Sequence, residues 1–340
     1  MHSSEVLRAE VAKALGYEED PGGRVERLAA HASSRAYYRV HGPAFRVGVM
    51  VAPQDPRSEE ATKGVEEGED PFVQVQRYLH GLGIRVPAIH RWDPEARIMV
   101  LEDLGERTLE DALPVLGQET LYEKAIDLLA ALRARAARAP EPTCVAFRRD
   151  FDFDLLRWEM EHFREWIVGD RFSAEDAARF SAEADALCRS LDALPKGFTH
   201  RDYQSRNLMV LPEGELAVID FQDALQGSIA YDLVALLRDS YVELPMELIE
   251  RLLVRYVHVL REEGGPALDP EALLAEFHLQ TVQRKLKDAG RFVFIDRVKG
   301  NPSFLPYVKP SLAYVRAALE RSPGLAPLHE VLARYVPELA

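Results

Sequence analysis

The segment Phe198-Thr-His-Arg-Asp-Tyr-Gln-Ser-Arg-Asn-Leu-Met-Val210 constrains the fold more than any other part of the chain. An apolar run enters it, a polar loop follows and a second apolar run leaves, which reads as strand, loop and strand. His200-Arg201-Asp202 opens the loop, and Asn207 follows Asp202 after four intervening residues. A third apolar run, Leu216-Ala-Val-Ile219, delivers Asp220 at its end, with Phe221 directly after it. Ordinary turn chemistry would explain Asp202 and Asn207 taken alone. It does not explain a second carboxylate in register at the end of another apolar strand. Together the three form the donor set for phosphoryl transfer to a hydroxyl. Asp202 takes the proton, while Asn207 and Asp220 hold Mg2+ against nucleotide phosphates. Phe221 reads as a packing residue.

The stretch His200-Arg-Asp-Tyr-Gln-Ser-Arg-Asn-Leu-Met209 resembles the aminoglycoside phosphotransferase superfamily, the small-molecule relatives of protein kinases. Ile219-Asp-Phe-Gln-Asp-Ala224, Tyr231-Asp-Leu233 and Leu236-Leu-Arg-Asp-Ser-Tyr241 are similar to the bacterial N-acetylmuramate/N-acetylglucosamine anomeric kinases. So is Gln283-Arg-Lys-Leu-Lys-Asp-Ala-Gly-Arg-Phe292. The resemblance implies an α+β, two-lobed, protein-kinase-like fold. Residues 1–104 would form a small antiparallel-sheet N-lobe with a hinge, and 105–340 a mainly helical C-lobe with the catalytic loop and acceptor pocket. It also implies ATP and Mg2+, with an amino sugar phosphorylated at its anomeric hydroxyl in cell-wall sugar recycling.

A chain of 340 residues has room for two lobes sharing a cleft, and its hydrophobic content of 47% suffices for a real core. A net charge of −14 argues against a general nucleic-acid binder but not against a nucleotide, because a site can oppose the field of the whole molecule. The two cysteines, Cys144 and Cys188, have no metal-ligand spacing and read as buried thiols of a reducing compartment. Met1-His-Ser-Ser-Glu5 lacks the apolar core of a signal peptide, and no apolar run reaches membrane-spanning length. A cytoplasmic monomer without nucleic-acid or membrane partners is expected.

In the first lobe, residues 3–15 read as a capped helix, and 24–30, 35–40 and 44–52 as strands. Between the first two strands, His31-Ala-Ser-Ser34 takes the place of a glycine-rich phosphate turn, so Ser33 and Ser34 are candidate phosphate contacts. Residues 53–70 read as a polar loop, 71–82 as a helix, and 86–92 and 97–101 as paired strands. The Glu102 carbonyl and Leu104 N–H fall where the resemblance places the adenine-binding hinge. One kinase feature is missing. The third strand has no lysine, and the following helix offers Gln74 rather than an acidic partner. Arg35 or Arg39 is then the candidate phosphate cation, with Arg35 preferred because it adjoins the turn.

In the second lobe, helices are expected at 119–137, 151–168, 173–194, 229–262, 271–290 and 311–320. The 151–168 helix shows Trp158, Glu159, Glu161 and His162 opposite its apolar face. Asp232 reads as the anchor of a helix start. Candidate acceptor-binding residues are Arg206, Gln222, Asp223, Glu159 and Arg284, and Lys285 is a further cation for a carboxylated sugar. Two other functions stay open: a kinase for aminoglycosides, choline or a similar alcohol, and a non-catalytic nucleotide-binding module. Retention of Asp202, Asn207 and Asp220 together opposes the module.

Overall fold

The computed structural model describes residues 3–28, 35–52 and 69–340. Helix α1 (Ser4–Leu15) starts where the Ser3 hydroxyl accepts the Val6 N–H, and it ends at Gly16 with φ of 76°. Strands β1 (Arg24–Arg27), β2 (Ala36–His41) and β3 (Arg46–Val51) follow. Next come α2 (Pro71–Gly81), β4 (Ile89–Asp93) and β5 (Ile98–Glu102). The five strands make an antiparallel sheet in the order β1-β2-β3-β5-β4.

Alternation along the strands gives this sheet two working faces. Tyr38, Val40, Val47, Val49, Ile98 and Val100 pack under Leu7 and Val11 of α1. Met50, Met99 and Leu101 belong instead to the core shared with Phe72, Val75 and Leu79 of α2. Helix α2 is fixed by Asp70, whose carboxylate accepts the Phe72 N–H at 2.8 Å, and by Pro71 in its first turn.

The helical part begins with α3 (Leu109–Leu116) and α4 (Gln118–Arg138). Thr108 and Asp111 cap α3 reciprocally, a start signal that the sequence reading passed over. Then come α5 (Phe153–Phe163), α6 (Ala174–Asp192), β6 (Lys196–Thr199), β7 (Leu208–Val210), β8 (Leu216–Val218) and β9 (Leu225–Ser228). Strand β6 pairs with β9, and β7 with β8, so two small hairpin-like ladders frame the catalytic loop. Helices α7 (Ile229–Leu237), α8 (Met246–Glu262), α9 (Pro270–Lys299), α10 (Val308–Leu319) and α11 (Ala326–Ala333) complete the body.

Three expected helices come out differently. The 229–262 helix is two helices, because the chain breaks over 238–245 and restarts after Pro245, which has no N–H for a continuous ladder. The 151–168 helix loosens into a wider π turn at Arg164–Val168. The 271–290 helix does not stop at Gly290 but runs on to Lys299 and ends at Gly300 in a left-handed cap. Gly290 marks a crossing instead. A Cβ there would lie 2.9 Å from the Phe163 Cα and 3.0 Å from the His162 carbonyl oxygen, so α5 rests directly on the α9 backbone. Among the described residues, no helix is long and apolar enough to cross a membrane.

Candidate active site

A cleft of about 670 Å3 lies between the five-stranded sheet and the helical body. Its apolar lining includes Leu28, Val49, Pro87, Leu101 and Met209, side chains suited to packing on a flat heterocycle, together with Tyr37. Glu102, Asp103, Leu104 and Gly105 border it. The Glu102 side chain is not available there: it accepts from both Nη atoms of Arg85 and from the Ala88 N–H at 3.1 Å. Only backbone groups remain for a ligand at Glu102, in keeping with the expected hinge. The linker itself is pinned by Asp103, which takes Arg39 Nε at 2.7 Å and Arg46 Nε at 2.6 Å.

That engagement removes Arg39 from the phosphate role. Its guanidinium also binds Glu106 at 2.7 Å and the Gly105 carbonyl at 2.8 Å, so it is a fastener between strand and linker. Arg35 lines the cleft, and its charge acts on Asp220. Ser33 and Ser34 lie outside the described residues. Gly48 and Val49 are what β3 presents to the cleft, so the lysine-free strand is apolar there. Gln74 does not face that strand. Its side-chain oxygen accepts the Val145 N–H at 3.0 Å and ties α2 to the segment before α5.

The catalytic loop is held from beneath. Both oxygens of Asp232 accept backbone N–H groups, from His200 at 2.7 Å and from Arg201 at 2.9 Å. Asp232 therefore anchors the loop rather than a helix start; Ser228 occupies the cap position of α7. The break between α7 and α8 has a purpose here, since it delivers Asp239 to the N–H and hydroxyl of Ser205 at 2.8 and 2.5 Å. His200 is buried, and that burial lowers its pKa and keeps the ring neutral. Its Nδ1 accepts the Asp202 N–H at 3.2 Å, so Nε2 carries the proton and donates to the Ile219 carbonyl at 3.0 Å. Arg201 takes φ of 80° and Asp220 φ of 63°, left-handed conformations uncommon outside glycine. Both sit at the residues flanking the proposed chemistry, and the hydrogen bonds around them hold that strain.

Asp202 keeps 36% of its side chain exposed, within a cleft otherwise walled by protein. Burial works against its charge, but Arg284, Lys287 and Arg201 outweigh it and hold the carboxyl below its ordinary pKa. Asn207 donates its amide to the Asp202 carbonyl at 2.9 Å, which leaves the amide oxygen for another partner. Asp220 behaves oppositely to Asp202. Burial and the neighbouring Asp202 charge push it up to about 6, against the hydrogen bond from Gln222. Two coupled carboxylates and an amide oxygen lining one cleft offer hard oxygen donors whose anionic repulsion a divalent cation would relieve. No cluster of three or more His, Cys, Asp or Glu able to hold a metal occurs among the described residues. Two protein ligands are enough where phosphates and water complete the shell.

Beyond Asp202, α9 forms the other end of the cleft. Arg284, Lys287, Asp288, Arg291, Phe292, Ile295 and Lys299 all line it, with Phe304 stacked on Phe292 at 5.7 Å. Of the expected acceptor contacts, Arg206, Gln222, Asp223 and Arg284 reach the cleft and Glu159 does not. Glu159 is fully buried; one oxygen accepts Gln283 Nε2 at 2.7 Å and the other is 3.8 Å from Arg201. His162, expected on the same open face, is also buried. Gln222 is committed as well, donating to Asp220 at 3.1 Å and Asp223 at 3.0 Å. Arg206 is braced by Glu110 at 2.5 Å, by the Tyr307 hydroxyl at 3.1 Å and by the face of Tyr241 at 3.6 Å. Lys285 is buried and does not line the cleft itself; its ammonium is taken by Ser240 at 2.5 Å and Asp288 at 2.7 Å, two residues that do.

The sequence reading missed Lys287, Asp288, Arg291 and Lys299. Their signal was periodicity: with Arg284 and Ile295 they recur every three or four residues, the spacing of one helical face.

Residues 24–270 match the phosphotransferase enzyme family, APH. The chain is 35% identical to the N-acetylmuramate/N-acetylglucosamine kinase of Pseudomonas aeruginosa, over 94% of this chain and 91% of that protein. Its identity to the kinase of the same name from Neisseria meningitidis is 32%, over 91% of this chain and 89% of that protein. Among solved structures it resembles choline kinase LicA from Streptococcus pneumoniae, with a TM-score of 0.64, 17% identity and coverage of 94% and 98%. It also resembles the ADP-bound aminoglycoside phosphotransferase APH(2'')-Ib, with a TM-score of 0.57, 16% identity and coverage of 93% and 100%. The chain belongs to the APH phosphotransferase family and has its protein-kinase-like, two-lobed fold.

Proposed function

We propose that the protein is an ATP- and Mg2+-dependent kinase acting on the anomeric hydroxyl of N-acetylmuramate or N-acetylglucosamine. Identity of 35% across nearly the whole chain to a kinase of that name supports this acceptor class. The observation that carries it in the structure is the α9 wall. In a chain of net charge −14, this wall presents three cations, Lys287, Arg291 and Lys299, against the single carboxylate Asp288, while Arg284 at its inner end is engaged with Arg201 and Asp202. Such a surface suits a neutral or carboxylated N-acetyl sugar. A polycationic aminoglycoside would need converging carboxylates there; of the two candidates, Glu159 is buried behind the loop and Glu161 pairs with Arg157 and Arg164 away from the cleft lining.

In this reading the apolar lining receives adenine, with the backbone of Glu102 and Leu104 at its edge. Arg35 meets the phosphates, and Asn207 and Asp220 hold Mg2+. The ion, when bound, neutralises charge on the phosphates during transfer. Asp202 orients the acceptor hydroxyl and takes its proton; an anomeric hydroxyl is more acidic than a plain alcohol and suits a carboxylate base. Asp202 is ionised at neutral pH because the surrounding cations favour its charged form. Gln222 fixes Asp220 relative to Asp223, an indirect role in place of the acceptor contact expected from sequence. The ATP requirement and the two free, buried cysteines support a cytoplasmic setting.

The test is ATP turnover against a panel of N-acetylmuramate, N-acetylglucosamine, choline and kanamycin, with phosphorus NMR locating the new phosphate. Phosphate should appear at C1 of an N-acetyl sugar, only with Mg2+ present, and the alditol of that sugar should be inert. An alditol that reacts as well as the sugar, or preferential turnover of kanamycin, would sink the anomeric assignment.

A further inference from the structure

We propose that Arg284 is a positioning residue for phosphoryl transfer, setting the catalytic carboxylate from a helix 82 residues downstream rather than contacting the acceptor. The inference rests on Asp202 as the base in the reading above.

Arg284 is buried to 2% exposure, and both terminal nitrogens of its fork are engaged. Nη1 donates to the Arg201 carbonyl at 2.8 Å, and Nη2 lies 3.3 Å from Asp202 Oδ1. One guanidinium thus holds the backbone just before the base and the carboxylate of the base itself. The backbone it grips is the strained one, with Arg201 at φ of 80°. On the opposite side of that peptide segment, Asp232 holds the N–H groups of His200 and Arg201. Tyr231, the residue before Asp232, lies under the guanidinium at 4.6 Å and packs in turn against Phe151, with ring centroids 4.3 Å apart and the planes tilted by 36°. Two consecutive residues of α7 and one of α9 therefore clamp the loop in three dimensions.

The geometry has a chemical consequence. Because Arg284 engages Oδ1, the more basic oxygen of Asp202 is Oδ2, and that is the one to receive the acceptor proton. Rotation of the carboxylate would present the wrong oxygen, and relaxation of the Arg201 peptide would move the whole group. Misplacement by about 1 Å can lower a rate on the order of 10²-fold with little effect on binding. A lysine cannot span both acceptors as the planar fork does.

The experiment compares Arg284→Lys and Arg284→Gln in the full chain. It uses steady-state kinetics on the acceptor that wild type turns over best, nucleotide affinity by calorimetry and thermal melts. Arg284→Gln should lower kcat about 10²-fold, and Arg284→Lys should restore part of it, to about 10-fold below wild type. KM for the acceptor and nucleotide affinity should stay within about threefold in both. Unchanged kcat overturns the proposal, and so does a raised acceptor KM at constant kcat, which would make Arg284 a substrate contact. Loss of the folded state in both variants also overturns it, since the residue is then structural. If wild type prefers an acceptor other than an amino sugar, the acceptor reading fails while Arg284 is still judged on that acceptor. A wild type without turnover on any acceptor overturns both.

Discussion

The two ends of the cleft are built in different ways. At the nucleotide end the working groups sit on loops and strand ends, and buried aspartates hold their backbone: Asp103 the linker, Asp232 and Asp239 the catalytic loop. At the proposed acceptor end most of the lining side chains come from one helix, α9, spaced along a single face. A loop tied through its backbone tolerates change in many side chains but depends on its few anchors. A helix face can change its ligand preference one residue at a time without disturbing its own hydrogen bonds. In the proposed reading, this division lets one scaffold keep its phosphate chemistry while its acceptor surface changes.

The largest effect should come from removing the base where the two ends meet. Asp202→Asn should lower kcat by a factor on the order of 10²–10⁴ and leave Mg2+-dependent nucleotide affinity close to wild type. Near-normal turnover in a folded variant would move the chemistry elsewhere and erase the contrast between the ends.

Next in size is the crossing that fixes α9 in place. In an exposed helix, glycine to alanine gains about 1 kcal/mol. At Gly290 the sign should reverse, because the added methyl would lie 2.9 Å from the Phe163 Cα, and backbone cannot step aside as a side chain can. A net loss of about 1–3 kcal/mol is expected for Gly290→Ala, typical of overpacking. A raised denaturation midpoint in Gly290→Ala would show that α5 does not rest on this helix.

A smaller and more selective effect is expected at the far end of the acceptor face. Arg291→Ala and Lys299→Ala should each raise KM for N-acetylmuramate by about tenfold, equivalent to about 1.4 kcal/mol. KM for N-acetylglucosamine, which lacks the carboxylate, should move much less. Equal increases for both sugars would assign these residues to general shape rather than charge recognition.

The contrast between the ends also explains what the sequence disclosed. Asp202, Asn207 and Asp220 stood out in the sequence because phosphoryl transfer needs those residue types at nearly fixed spacing along strands and one loop, and the fold brings all three to the cleft. Arg39 and Arg35 were not separable by type, since only the folded sheet brings Asp103, Glu106 and Gly105 around Arg39. Glu159 read as displayed because a carboxylate on a helix usually meets water. Its partner Gln283 lies 124 residues away in sequence and arrives only through packing of α9 on α5. The same packing hid the length of α9: glycine normally signals a helix end, whereas Gly290 is there for a neighbour. The split between α7 and α8 was masked by apolar residues that continue through it, although Pro245 marked the restart.

The effect expected to be smallest at neutral pH concerns the opposite end of α9, which belongs to the scaffold rather than the cleft. His278 is 5% exposed and its Nδ1 has no hydrogen-bond partner among the described residues, so protonation would place a new charge in a buried site. Burial depresses its pKa to about 4, and the cations Arg238 and Arg321 add to the effect. In the unfolded chain the same imidazole titrates near the ordinary value of 6.5. Between those two values the unfolded state binds the proton and the folded state does not. The contribution of His278 is therefore intact above about 6.5 and is lost as pH falls toward about 4, with a slope of at most about 1.4 kcal/mol per pH unit. His200 is depressed in the same direction and adds to the acid limb, so wild type alone cannot assign it. His278→Gln should flatten that limb in denaturant titrations from pH 7 to 4 while kcat at pH 7.5 stays within about twofold. An unaltered limb would show that His278 is protonated in the folded protein as readily as in water. A large fall in kcat would tie this end of the helix to the cleft and blur the division drawn between scaffold and acceptor face.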